Sequence, residues 1–182
     1  VKIVGYSRQG HQSDWVGKFV QGLKKHGIQP EHRAVGEWVK SDIAVVWGER
    51  NRKHAESIAR KVLVLERGYF QDRFTLTSIG WDGLNGRADF CNADSPPDRW
   101  LKHGVPVSDW KEGGRYVLIL GQVPGDMSHR HADINQFYAD SISRLSDSGL
   151  SVVFRPHPLG SVKPQGCLVD ADSTLEQSLS GA

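Results

Sequence analysis

The chain has 182 residues, 24% charged and 38% hydrophobic, with 20 Gly, 8 Pro and a mean hydropathy of −0.45. This composition excludes collagen, coiled coil, disordered tail and disulfide scaffold, and no apolar run approaches the roughly 20 residues needed to span a bilayer. With 23 basic side chains against 21 acidic ones the formal charge is +2, too even for the clustered basic face of a polyanion binder, so no nucleic-acid partner is expected.

Residues 1–6 alternate and carry enough β-branching for a first strand, not the charged and long apolar regions of a signal peptide. A cytoplasmic location follows as the expectation, with at most peripheral membrane association. The missing initiator Met is read as processing or as a fragment. After a polar loop at 7–11, Ser13 or Asp14 is placed to cap a helix, in which Trp15, Phe19, Val20 and Leu23 recur at helical spacing and Gly27 marks the end. Residues 28–35 read as a weak strand and 41–47 as a buried one. A helix over 52–60 and a further buried strand over 61–66 follow. Strands alternating with helices imply βαβ units and a parallel sheet, with ligands at the carboxyl ends of the strands. Residues 7–11, 48–50 and 66–69 then share one rim.

Residues 70–109 are dense in Gly, Asn, Asp and Pro, as in Gly80-Trp81-Asp82-Gly83-Leu84-Asn85-Gly86-Arg87, and read as irregular. A domain boundary is expected near 110–114, dividing an N-terminal domain, 1–112, from a second α/β domain, 113–182. The second contains a strand over 116–120, a loop over 121–130, a helix over 133–146 closed by Gly149, a strand over 150–155 and a short strand over 167–169. Ser173 and Glu176 have the spacing of a capping box that starts a last helix. A sheet of about three strands cannot have both faces covered, so this domain reads as truncated or as completed by another chain. Cys91 and Cys167 lie far apart, outside any Cys-x-x-Cys pair, and read as free thiols of a reducing compartment.

Two segments could carry chemistry. In Arg155-Pro156-His157-Pro158, prolines on both sides of a His fix the backbone at a strand's carboxyl end. A fixed imidazole beside a guanidinium suits an anion such as phosphate; a rigid strand exit with an exposed His would look the same. In Gly121-Gln122-Val123-Pro124-Gly125-Asp126-Met127-Ser128, a Gly/Pro-shaped loop offers an amide, a carboxylate and a hydroxyl. Asp126 could be a general base or nucleophile, or Asp126 or Ser128 could cap the following helix. Neither the dinucleotide spacing nor a P-loop occurs, and there is no Gly-x-Ser-x-Gly elbow. His129 and His131 at i,i+2 with Asp133 are a weak pattern for a metal.

Taken together, Gly121-Gln122-Val123 with Asp126 and Ser128, followed by Arg155-Pro156-His157-Pro158, resemble the capsule polysaccharide biosynthesis glycosyltransferases, a family that includes the Kdo transferases. The resemblance covers residues 117–158; Arg155 departs from the Lys more usual before Pro-His-Pro. It implies an α/β fold of two Rossmann-like lobes with parallel sheets in a GT-B-like arrangement, the second lobe incomplete. It implies a nucleotide-sugar donor as substrate, with its phosphate near Arg155 and His157, and a surface or capsular glycan as acceptor toward the first lobe. His157, Pro158, Arg155 and Ser128 would bind the donor, and Gln122 and Asp126 would lie at the reaction centre. No bound metal or cofactor is implied. In the first lobe the resemblance is looser. Glu66, Arg67 and Asn85 are candidates for sugar hydroxyls, with structural ion pairs among Glu66, Arg67, Asp72 and Arg73 the competing reading. Trp81 could stack on a sugar or anchor a turn. An epimerase-like nucleotide-sugar enzyme, or a non-catalytic module that dimerises through the incomplete second lobe, would also fit these residues.

Overall fold

Four stretches of this chain, at residues 3–6, 44–47, 62–65 and 152–154, are apolar enough to be buried on both faces, and they lie inside two sheets of five and three strands. The computed structural model describes residues 1–68, 72, 74–110, 112–126 and 133–182. The chain divides into two units, Val1–Arg99 and Trp100–Ala182, so the division falls N-terminal to the glycine pair at 113–114.

In the first unit, β1 (Ile3–Ser7), β2 (Glu31–Ala34), β3 (Ser41–Trp47), β4 (Ala59–Arg67) and β5 (Thr77–Trp81) form one sheet in the order β2-β1-β3-β4-β5. The first four are parallel, and β5 runs antiparallel to β4. Every residue of β1 is buried, as are residues 44–47 of β3 and 62–65 of β4. Such continuous burial is what a parallel sheet covered on both faces requires. Because side chains alternate along a strand, the core splits in two. Val4, Tyr6, Ala44, Val46, Val62 and Val64 pack with Ala55 and Leu84 on one face. Ile3, Val45, Trp47, Leu63 and Leu65 pack with Val16 and Val20 on the other.

Val16 and Val20 belong to α1 (His11–Lys25), which starts a turn before the expected cap. Gly10, in the left-handed region at φ 78, is its N-cap and no side chain caps it. Ser13 and Asp14 thereby become helical, and Asp14 favours the positive helix start. At the other end the amides of Gly27 and Ile28 donate to Lys24 and Leu23, a Schellman closure that the positive φ of Gly27 permits. The helix α2 (Arg52–Glu56) is shorter than expected, because Ala59 finds a parallel partner at Ser41 and joins β4. The expectation of irregular structure over 70–109 is corrected: β5, a 3₁₀ turn at Asn85–Arg87 and α3 (Asp98–His103) lie there. The turn residues do keep their part, since Asp82, Asn85, Cys91 and Asp94 all adopt positive φ.

In the second unit, β6 (Val117–Leu120), β7 (Val152–Arg155) and β8 (Leu168–Val169) form a parallel sheet in that order. Between β6 and β7, α4 (Ile134–Asp147) places Tyr138 and Ile142 against Val152 and Phe154. Asp133 is its N-cap, its carboxylate accepting from the amides of Asn135 and Gln136. Gly149 and Leu150 close α4 with the same pair of bonds that ends α1. The last helix, α5 (Leu175–Gly181), carries a capping box, but on Thr174 and Gln177, one residue later than expected. Ser173 is excluded from the helix because its amide donates to Asp170 and its carbonyl accepts from Arg155. Cys91 and Cys167 are both free, and burial raises the pKa of the Cys167 thiol.

Close approach of α1 to the sheet depends on Gly5. A Cβ there would lie 2.8 Å from Val16 Cγ1 and 3.0 Å from Val20 Cγ2. Gly5→Ala is expected to cost about 1–3 kcal/mol by overpacking, read as a lower urea midpoint for the first unit. An unchanged midpoint would show that α1 can move away freely.

Candidate functional site

The strands β6 and β7 pair in register, with Leu120 opposite Arg155, so the loops that follow them leave the sheet side by side. The Gly121 amide donates to the Arg155 carbonyl at 2.7 Å. Gly121 has no room for a side chain: a Cβ would lie 2.7 Å from Ser161 Oγ and 2.8 Å from Phe154 Cζ. The next amide, of Gln122, donates to the Tyr138 hydroxyl at 2.7 Å. Tyr138 is buried and packs edge-on to Phe154, with ring centroids 5.0 Å apart. The backbone of Gln122 is thus pinned from the core while its side chain is exposed. The turn that follows is closed by the Asp126 amide donating to Val123, with Gly125 at φ 76, and it leaves Asp126 exposed. Asp126 is not the cap of α4; Asp133 is. Ser128, His129 and His131 lie outside the described residues.

Across from this loop, His157 sits in a turn tied at several points. Its amide donates to Ser161 Oγ at 3.0 Å, and its carbonyl accepts from Gly160. Its Nδ1 accepts from the Leu159 amide at 3.0 Å. In the neutral ring that bond puts the proton on Nε2, which becomes a donor. Pro158 follows it, exposed.

Arg155 has a structural task. Its Nη1 donates to the Ser173 carbonyl and to Ser178 Oγ, and Ser178 in turn donates to Asp170 Oδ2 at 2.6 Å. Hydrogen bonds from Ser178 and Ser173 hold the Asp170 carboxyl below its usual range, against the opposing effect of burial. This network fastens the start of α5 to the end of β7. The sequence suggested a phosphate fork, but part of the guanidinium is engaged inside the unit.

The candidates in the first unit are more dispersed. Glu66, the last residue but one of β4, lies beside the loop after β3: Oε2 would be 3.3 Å from a Cβ at Gly48, and Oε1 accepts from the Arg67 amide. The Arg67 guanidinium lies over the Phe74 ring at 4.9 Å. Among the described residues no ion pair joins Glu66, Arg67 and Asp72; Arg73 lies outside them. Asn85 is exposed at φ 55 and its carbonyl accepts from Ala88. Trp81 packs against the core on the α1 face, the anchor reading rather than the stacking one.

Two features of this unit escaped the sequence. The side chain of Glu49 is only 6% exposed, yet it binds Arg52 Nε at 2.7 Å, the Leu84 amide at 2.8 Å and Arg87 at 3.6 Å. The i,i+3 pair Glu49/Arg52 was the available signal. The second is Ser7, whose buried hydroxyl lies 2.8 Å from His32 Nε2; nothing local links residues so far apart in sequence. Among the described residues no group of His, Cys, Asp or Glu is gathered to hold a metal ion. No family model matches this chain, and no curated protein matches it either.

Glu49→Gln should destabilise the first unit by about 2–4 kcal/mol, because two guanidinium groups and a buried amide lose their anion; a denaturation midpoint within error of the parent would contradict this. Asp82 predicts a pH dependence. Burial raises its pKa, but the Val62 amide and Lys61 outweigh that and hold the carboxyl below its usual range. The folded state therefore binds fewer protons than the unfolded one. The stabilisation is complete above the ordinary aspartate range and disappears as pH falls through the lowered pKa. Asp82→Asn should flatten that acid limb in pH-dependent unfolding.

Proposed function

We propose that this protein transfers a sugar from a nucleotide-sugar donor to a surface or capsular glycan, with a GT-B-like assignment of the donor to the second unit and the acceptor to the first. The observation that carries this reading is the fixed juxtaposition of the Gln122 and His157 loops at the carboxyl edge of one parallel sheet, bridged by the Gly121–Arg155 hydrogen bond. Open α/β sheets bind ligands at that edge. The Nε2–H donor of His157 suits a phosphate oxygen of the donor, whose negative charge grows as the glycosidic bond breaks. Pro158 holds the ring's backbone, and Gln122 offers an amide to the transferred sugar. Asp126, exposed on the turn after β6, is the group to take the proton of the acceptor hydroxyl or to attack the sugar carbon. Ser128, two residues further along the sequence, would add a hydroxyl to the donor side. Arg155 then acts by positioning: it holds β7 and α5 together behind His157. The acceptor would meet Glu66, Arg67 and Asn85 in the first unit. The nucleotide sugar is the substrate, and the mechanism draws on no resident cofactor.

A second reading is supported by β6. This strand is an edge of its sheet and its Leu120 is 44% exposed, which favours pairing with another copy of the chain. A dimer that forms with concentration and binds no nucleotide would favour a binding module over an enzyme.

The test is a pair of variants measured by calorimetry with CMP, UDP and GDP, and by release of nucleotide from the corresponding sugar donors. His157→Ala should weaken the cognate nucleotide by about tenfold. Asp126→Ala should leave that affinity nearly unchanged and lower turnover by about 10²–10⁴-fold. Equal nucleotide affinity in His157→Ala and the parent would defeat the assignment.

A further inference from the structure

The first unit contains a cleft of about 300 Å³ at the carboxyl ends of β1 and β2, lined by residues 7–9, Ser13 and residues 32–35. That volume is at the lower end of small-molecule sites. Its lining brings together two arginines, an imidazole, two serine hydroxyls and an amide, with no carboxylate among them. The two arginines differ. Arg33 is bound by Glu31 through Nε at 2.7 Å and through Nη2 at 2.6 Å, which compensates its charge. Arg8 uses its backbone amide to bond Gln12, but its guanidinium has no ion pair or hydrogen bond among the described residues. Beside it the Ser7 hydroxyl is buried and set against His32 Nε2 at 2.8 Å. The helix α1 passes close to the imidazole: a methyl group on Gly17 would sit in ordinary contact, 3.6 Å from His32 Cε1. The polar groups therefore come from two strands, a loop and a helix, and the excess charge of the lining is positive.

We propose that this cleft binds a small hydroxyl-bearing anion, a sugar phosphate or a sugar carboxylate, with its oxyanion at Arg8 and its hydroxyls at Ser7, His32 and Ser13. A guanidinium pairs well with either oxyanion, and the Ser7–His32 pair can accept or donate, as a sugar hydroxyl requires. The inference stands on the first unit alone and does not rest on a donor site in the second.

The experiment is a titration of the full chain with inorganic phosphate, glucose 6-phosphate and glucuronate, at fixed pH and ionic strength, followed by the backbone and imidazole NMR signals of Arg8, Ser13 and His32. A saturable shift at these residues is expected with at least one probe. In Arg8→Gln, whose side chain is exposed and whose fold should persist, the affinity should fall about tenfold. Tighter binding of glucose 6-phosphate than of inorganic phosphate assigns a sugar phosphate; a response to glucuronate alone assigns a sugar carboxylate; equal affinity for inorganic phosphate and the two sugar acids would overturn the hydroxyl contacts. No saturable shift with any probe into the tens of millimolar, or a shift that Arg8→Gln leaves unchanged, overturns the proposal. Loss of nucleotide binding in His157→Ala would leave this result untouched, so the two readings fail separately.

Discussion

The hydrogen bond between the Gly121 amide and the Arg155 carbonyl is the constraint on which the candidate site depends. It continues the β6–β7 ladder one step past the strands and joins two loops that are distant in sequence. It requires a residue without a side chain, because Phe154 and Ser161 occupy the space a Cβ would need. From this point the order spreads outward on both sides. Phe154 supports Tyr138, and Tyr138 holds the Gln122 amide; Ser161 holds the His157 amide, and His157 orients its ring on Leu159. A packed core thus fixes the backbone from which Gln122 projects and the orientation of the His157 ring. Sites built on rigid elements keep such geometry better than free loops do.

The first unit solves a related problem with different residues. Its sheet is closely covered because Gly5 lets α1 descend onto β1, which also brings Gly17 beside His32 and leaves Ser7 buried. The far side of the sheet is held by Glu49, a buried carboxylate that gathers Arg52, Arg87 and the Leu84 amide. Burying a charge is costly unless it is fully partnered, and the turn residues of 82–87 supply part of that partnership. The helices α1 and α4 end in the same Schellman closure on a glycine, Gly27 and Gly149, so each βαβ turn starts its next strand from a similarly fixed chain direction.

Much of this was legible in the residues. The limits of β3 follow from its apolar run, the presence of β4 and β6 from theirs, that of β1 from its alternation, and that of α1 and α4 from helical period and punctuation. What escaped has physical causes. The strand β5 begins with Thr77 and Ser78 and contains Gly80; it is an edge strand made by pairing with β4, and the turn residues after it dominate the local signal. The α1 cap misled because Gly10 starts the helix through its own backbone, with no side chain needed. The capping box of α5 moved by one residue because Asp170 and Arg155 claim Ser173, and adjacent Ser and Thr are equally able to cap. For the site, the neighbourhood of Gln122 and His157 could be anticipated from two strand–loop segments in one parallel sheet. The engagement of Arg155 with α5, the Ser7–His32 pair and the Glu49 cluster all rest on partners far along the chain, and no local pattern announces them.

The most direct test of the donor-site account is residue-resolved. Backbone amide NMR signals of the full chain should be followed while CMP, UDP and GDP are added in turn. The account predicts that one nucleotide shifts the amides of Gln122, His157 and Ser161 together, with a single affinity, because one ligand lies across two joined loops. Shifts confined to other parts of the chain, or none with any of the three, would contradict it.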